Sequence, residues 1–380
     1  MRIVLAASLQ LHPSAWLRPV WLATTVITRS YAQQAEWRSN EMKADMISKM
    51  ITLLTRPAAN TAGSVEVKKR TAAVARSVRL NVSNPLSAPY PTGSYLIRDI
   101  PLRKEAKSEH FRNAMTLHPN PYRASGSHQL NILQFRDVLG SHVVAKYRPS
   151  IIYLVDLRQE THGFLGDIAH SWYADNDFGN VGQSLDWIAN EEKIRLLFLE
   201  ALTKARVFNI AADPSDNRAQ QRMTPTSYHD IAVRTARTEE QVFDDRKIGS
   251  RAFSSIVQYV RIPVTDHCAP DQDALKTLKD LAAKAPTDAW FHFHCHGGDG
   301  RTTTFLMLYD MLCWKKSSKT LPELDVFACR QFGLPPRYCL NPDGCRCGKQ
   351  KSQPIGGWKR PLAIKRWNVL ENFRKRLVGS

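Results

Sequence analysis

Short apolar runs and helix-spaced apolar positions alternate along the chain from about residue 94 onward. Ile151 to Leu157 is apolar at every position but Asp156, which predicts a buried strand. Ser254 to Val264 carries Ile256, Val257, Tyr259, Val260 and Ile262 and predicts a second strand; Ala289 to His294 predicts a third. Leu185 to Arg206 reads as a helix, with Ile194, Leu197, Phe198, Ala201 and Leu202 sharing the face expected to pack on a core. Asp273 to Ala285 reads as another helix. A further one starts at Thr302, with Phe305, Leu308, Tyr309, Leu312 and Cys313 on one face. Strands alternating with helices predict an α/β fold, a central sheet flanked by helices.

The first 92 residues break this pattern. They hold 12 Lys/Arg against 4 Asp/Glu and are rich in Ala, Ser and Thr. Glu41 to Leu54 could form an amphipathic helix, and Asn81 to Gly93, with Pro85, Pro89 and Pro91, reads as a linker. The expected organisation is a basic, mobile N-terminal region over 1–92, serving as a delivery segment or as a tail with no specific role, followed by a folded domain over 93–380. Met1 to Leu9 begins like a secretory signal but is broken by Gln10, His12, Pro13 and Arg18, with a weak small-residue site near Ala32. No run reaches the ~18–20 apolar residues that span a bilayer.

Composition narrows the class. At 380 residues, 43% apolar and 23% charged, the chain can bury a core without staples. Wholesale disorder, collagen-like structure and a small disulfide scaffold are excluded. The net charge of +18 favours polyanionic partners: nucleic acid, acidic membranes or phosphorylated small molecules. Seven cysteines, six of them in the last 90 residues, do not have the spread of a disulfide framework. A reducing compartment is therefore expected, with Cys339, Cys345 and Cys347 free; their spacing suits no usual zinc site.

The chemistry is concentrated after the third strand. His294-Cys295 is followed by His296, Gly297, Gly298, Asp299 and Gly300, then by Arg301 and Thr302-Thr303-Thr304 at the start of a helix. A short glycine-rich loop between strand and helix can turn its N–H groups inward, and with the helix N-terminus it forms an anion site. Arg301 can grip two phosphate oxygens with its planar fork. Cys295 sits at the centre of that field, which predicts a thiol shifted from about 8.5 toward roughly 3.5–7.5. A lone Cys-x5-Arg is weak; the same spacing between an aromatic strand and an apolar helix is strong.

The motif resembles the signature of the cysteine-dependent phosphatases, and within them the protein-tyrosine-phosphatase-like inositol phosphatases, or cysteine phytases. Arg261-Ile262-Pro263-Val264-Thr265-Asp266-His267 is similar to that family's general-acid loop. Tyr153 to Leu165 is similar to its substrate-pocket strand and loop, and Ala124-Ser125-Gly126-Ser127 also fits. The resemblance covers about residues 95–380 and implies a cysteine-phosphatase-like sheet, no metal and no cofactor. In this reading Cys295 is the nucleophile, Arg301 the phosphate clamp and Asp266 the acid. His296 to Gly300 cradle the phosphate. Thr302 either bonds the sulfur or caps the helix. His267 and Arg158 are candidates for further phosphates, weighed against a loop cap and a structural ion pair. Lys365, or Arg366, is expected to line the pocket from a basic C-terminal helix. Asp299 is a departure, since a carboxylate opposes a phosphate site unless it points outward.

The expected activity is hydrolysis of inositol polyphosphates, phytate foremost. The alternatives are a tyrosine or dual-specificity protein phosphatase, an RNA 5′-triphosphatase and a non-catalytic polyanion binder. Nucleic acid is not expected as the partner. Some bacterial plant pathogens inject phytase-like effectors of the XopH type into host cells, and the basic N-terminus fits such delivery. Periplasmic export is the rival expectation.

Overall fold

The chain divides into two compact units, and a computed structural model describes residues of the second, Asn81–Ser380: 95–99, 111–174, 177–212, 223–244, 256–318 and 320–379. The expected helix at Glu41 to Leu54, the linker and the boundary at 92/93 lie outside the described residues. In chain order the elements are β1 (Tyr95–Arg98), β2 (Arg112–Asn113), β3 (Ala124–His128), α1 (Ile132–Leu139), β4 (Ile152–Arg158), β5 (His162–Leu165), β6 (Ile168–Tyr173), α2 (Leu185–Leu202), β7 (Lys204–Ala212) and β8 (Met223–Ala232). There follow β9 (Ala236–Arg237), α3 (Glu239–Asp244), β10 (Val257–Val264), α4 (Gln272–Lys284), β11 (Trp290–Cys295), α5 (Gly300–Ser317), α6 (Leu324–Phe332), β12 (Arg346–Cys347), β13 (Gln350–Lys351) and α7 (Lys359–Val378).

The three strands expected from the sequence meet in one five-stranded sheet, ordered β10-β4-β11-β3-β2. The first four run parallel and β2 closes the edge antiparallel. Side chains alternate across a strand, and both faces of this sheet are covered. Phe291, Phe293 and Cys295 of β11, with Tyr153, Val155 and Leu157 of β4, join the core built by α4 to α7. Trp290 of β11, with Ile152 and Leu154 of β4, joins the opposite core beside α1 and α3. That double burial is why β4 reads as an apolar run interrupted only at Asp156 before it ends at Arg158. In parallel sheets of this kind, ligands sit beyond the carboxyl ends of the strands, and Cys295 is the last residue of β11.

The expected α/β class is the one found, but several local readings are corrected. Helix α5 is buried on every side from Arg301 to Met311, rather than on one face. It runs through the middle of the domain, between the sheet and helices α4, α6 and α7. Helix α2 stops at Leu202, where Thr203 turns left-handed at φ 56°, and β7 begins at once. Its buried face is Ile188, Glu192, Arg195, Leu196 and Leu199, not the expected stripe through Ile194, Leu197 and Leu202. Glu192 decides the rotation, because its carboxylate accepts from the His162 N–H (3.1 Å) and from Arg261 (2.9 Å). A second, six-stranded sheet, β8-β7-β1-β6-β5-β9, was not anticipated; α2 covers it around Trp172, Leu196 and Leu199. The expectation of free tail cysteines is also corrected: Cys329 pairs with Cys347 and Cys339 with Cys345, leaving Cys268, Cys295 and Cys313 unpaired. Among the described residues no helix is long and apolar enough to cross a membrane.

Candidate active site

Strand β11 delivers Cys295 to the sheet's end, residues 296–299 turn, and α5 starts at Gly300. Two glycines make the turn feasible. Gly298 sits at φ +74°, and a Cβ there would lie 2.5 Å from the His128 nitrogen. A Cβ on Gly300 would meet Nη1 of Arg366 at 2.9 Å. Gly297 faces open space. Cys295 is only 2% exposed. Its sulfur lies 3.2 Å from the Thr302 hydroxyl, which also lies 3.3 Å from the Ser127 carbonyl. Thr302 therefore addresses the sulfur and does not merely cap the helix.

Arg301 lies alongside, fixed from behind. Its Nη1 and Nη2 donate to the two oxygens of Glu160 at 2.6 and 3.0 Å, and Nη1 also reaches the Val264 carbonyl at 3.2 Å. Its Nε faces Oδ1 of Asp266 at 3.2 Å. Asp266 stands in the turn after β10 with its side chain 22% exposed. The candidate nucleophile, clamp and acid are thus brought together from three separate elements. His267, at φ 60°, turns its Nε2 to within 3.2 Å of Asp266 and packs edge-on against Trp358 at 5.0 Å. Burial, with Lys359, Arg301 and Arg366, lowers its pKa against the opposing pull of Asp266.

Other expected site residues are placed differently. Arg158 is wholly buried and spent on Glu160 (2.8 Å), Asp99 (2.8 Å) and Gln129 (3.0 Å). Its contacts are those of the structural ion pair: Nε and Nη1 are taken by buried acceptors of the wall, and Nη2 is buried as well. Lys365 is exposed, whereas the next residue, Arg366, is 3% exposed and points at Gly300. Its Nε and Nη1 have no hydrogen-bond partner among the described residues, and it is Arg366 rather than Lys365 that reaches the loop from α7. His296 lies between two acids, 3.2 Å from Asp177 and 3.6 Å from Asp99. Burial pushes its pKa down, but the Asp177 bond and both carboxylates outweigh this and raise it. The Asp299 side chain points outward, 42% exposed, and meets Arg112 at 3.4 Å. Arg112, Asp177 and Tyr338, whose hydroxyl lies 3.9 Å from the Gly300 Cβ position, escaped the sequence reading. None sits in a motif with the nucleophile, and a lone Arg, Asp or Tyr carries no signal.

Behind the loop, acids and bases interlock. His294 faces Glu239 at 3.1 Å, and His162 faces Asp156 at 3.2 Å and Glu239 at 3.4 Å. Ligand atoms of Asp156, His162 and Glu239, and separately of Glu160, Asp177 and His296, lie within 4.8 Å of one another. In both groups, neighbouring arginines and the histidines already supply positive charge. Burial and Arg158 depress the His162 pKa, yet Asp156 and Glu192 hold it up, to about 10. A raised folded pKa stabilises fully below the unfolded value of 6.5 and loses that contribution as pH rises through 10. Urea unfolding between these values should show stability falling by about 1.4 kcal/mol per pH unit from this one group. In His162→Gln that slope should be absent.

Comparison with known proteins adds to this geometry. Residues 155–313 match the PTP-like phytase family profile, described for inositol hexakisphosphate. That stretch resembles a PTP-like phytase domain. The span runs from the middle of β4 through Asp266 and the cysteine loop into α5. The fold resembles those of two solved structures. One is the PTP-like myo-inositol phosphatase of Mitsuokella multacida in complex with myo-inositol-(1,3,4,5)-tetrakisphosphate: TM-score 0.56, 22% identity, covering 78% of this chain and 46% of that one. The other is a PTP-like phytase from Bdellovibrio bacteriovorus: TM-score 0.51, 25% identity, covering 75% and 89%. Effector protein hopD2 of Pseudomonas syringae pv. tomato is 24% identical over 266 residues, 67% of this chain and 53% of that protein. The chain spans about half or less of the length of the curated relatives it matches.

Proposed function

We propose that this chain is a cysteine-dependent phosphatase that removes phosphate from inositol polyphosphates, inositol hexakisphosphate foremost, through a phosphocysteine intermediate. The observation that carries the reading is the convergence on one loop of Cys295, Arg301 and Asp266, with Arg301 Nε and Asp266 Oδ1 3.2 Å apart. A phosphate gripped by Arg301 and the loop N–H groups is open on one side to Cys295 and on the other to Asp266. The thiolate of Cys295 attacks phosphorus as Asp266 gives its proton to the departing ring oxygen. Asp266 then takes a proton from water, which attacks the phosphocysteine, and Thr302 donates to the departing sulfur. Arg366, which points at Gly300, and His267, which lies beside Asp266, are the groups to meet a neighbouring phosphate of a multiply phosphorylated ring. The domain family, and the inositol tetrakisphosphate of the Mitsuokella complex, support a ring substrate over a phosphotyrosine side chain.

Side-by-side phosphate release from inositol hexakisphosphate and from a phosphotyrosine peptide tests the reading; release from the peptide alone would overturn it. Asp266→Asn should lower turnover of inositol hexakisphosphate by about 10²–10⁴-fold. Turnover of p-nitrophenyl phosphate should fall far less, because that leaving group departs without a proton. Equal losses on both substrates would remove Asp266 from the acid's role.

The likeness to hopD2, an effector by name, supports delivery into a host cell, with the basic region 1–92 as the delivery segment. The two disulfides favour the alternative, an oxidising periplasm. The mature N-terminus decides: processing near Ala32 would indicate export.

A further inference from the structure

Arg112 enters the catalytic loop from outside the family segment and far away in sequence. It occupies the short edge strand β2, is 1% exposed, and reaches the loop's back face across the end of β3. Its Nη2 donates to the Gly298 carbonyl at 2.7 Å and faces Asp299 Oδ1 at 3.4 Å. Its Nη1 donates to the Thr303 hydroxyl. One planar fork thus holds three points: the carbonyl at the tightest bend, the loop's only carboxylate and the first turn of α5. Each contact has a consequence. Fixing the Gly298 carbonyl outward leaves the following peptide N–H groups free to turn inward, as an anion cradle needs. Pairing Asp299 from behind offsets a negative charge that would otherwise oppose a phosphate. The grip on Thr303 ties both to the helix that carries Arg301.

We propose that Arg112 is a positioning residue of the phosphate loop, a rear clasp that sets the Gly298–Asp299 turn in its anion-binding shape and offsets the charge of Asp299. The inference rests on the phosphatase reading for its kinetic consequence but not for its binding consequence. The clasp accounts for the departure at Asp299, because a carboxylate is tolerable there only with a cation behind it. It also makes Arg112 and Asp299 a coupled pair, so that loss of the arginine alone leaves the worse loop.

The test measures orthovanadate and inorganic phosphate binding by calorimetry, and kcat and KM on inositol hexakisphosphate, for the full chain and four variants. Arg112→Met should weaken oxyanion binding by about tenfold to a hundredfold, the scale of hydrogen bonds to a charged group, with thermal unfolding still cooperative. Arg112→Lys should recover part of the loss, since an ammonium can meet Asp299 but cannot fork to Gly298 and Thr303 together. Arg112→Met/Asp299→Asn should bind better than Arg112→Met, a recovery no purely structural role predicts. If Arg112→Met does not fold, Thr303→Val still removes one of the three points and should weaken binding on its own. Unchanged oxyanion affinity in a folded Arg112→Met, or in Thr303→Val where the methionine variant does not fold, overturns the clasp. So does the absence of any recovery in the double variant. A wild-type chain that binds orthovanadate in an Arg112-dependent way yet releases no phosphate would overturn the catalytic reading and leave the clasp standing.

Discussion

Replacing Cys295 with serine is expected to abolish phosphate release from inositol hexakisphosphate, by about four orders of magnitude or more, the scale on which enzymes lose activity with their nucleophile. The substitution exchanges one sulfur for one oxygen at a site 2% exposed, so stability should change little. The chemistry changes completely. A serine hydroxyl is a far weaker nucleophile than a cysteine sulfur, and among the described residues the side chain bonded to the sulfur, Thr302, is a donor rather than a base. The oxyanion cradle, Arg301 and the rear contacts of Arg112 remain. Cys295→Ser should therefore still bind inositol hexakisphosphate, and calorimetry should find affinity within a few-fold of wild type. Activity surviving in the serine variant would sink the phosphocysteine pathway. Loss of both binding and activity would show that the sulfur itself holds the loop's shape.

Glu160→Ala carries the second large effect, on stability and activity at once. The two oxygens of Glu160 take three donors: Arg301 Nη1 at 2.6 Å, Arg301 Nη2 at 3.0 Å and Arg158 Nε at 2.8 Å. All three side chains are about 0–1% exposed. Removing the carboxylate strands two buried guanidiniums, and breaking a buried pair in this way costs about 3–5 kcal/mol. Urea unfolding should show that loss. Arg301 would also lose the bonds that aim its fork, so turnover should drop with Arg301 still present. Glu160→Gln keeps the shape and one acceptor, and should fall between. The pH dependence has a definite sign. Burial raises the Glu160 pKa, but Arg301 and then Arg158 more than offset it and hold the group below 4.5. A depressed folded pKa contributes stability above that ordinary value and loses it as the pH falls further. Wild type should thus lose this contribution under acid, and Glu160→Ala should have none to lose.

The glycine-rich loop after β11 was legible because its determinants are neighbours. Strand, cysteine, glycines, arginine and helix occupy one continuous stretch from Ala289 to Thr304, and local backbone rules act over that range. Asp266 entered as a candidate acid only through resemblance, since a lone loop aspartate has no pattern of its own. Where two residues of one run competed, packing chose: Arg366 turns inward and Lys365 outward, a rotation about α7 that depends on what lies beneath. Arg158 illustrates the converse. Its motif was visible, but its three partners come from Asp99, Gln129 and Glu160, which only the fold assembles.

The sequence by itself determined the alternation of strands and helices and the glycine-rich turn that joins β11 to α5, because periodicity and turn geometry are properties of adjacent residues. The tertiary structure alone decided which face of α2 is buried, that α5 is buried all round, that the tail cysteines pair, and that a second sheet exists. It alone brought Arg112 to Gly298, 186 positions away. The physical reason is common to all of these. Burial, ion pairing and disulfide formation depend on which side chains come within a few ångströms, and chain separation carries almost no information about that distance until the backbone is closed around a core.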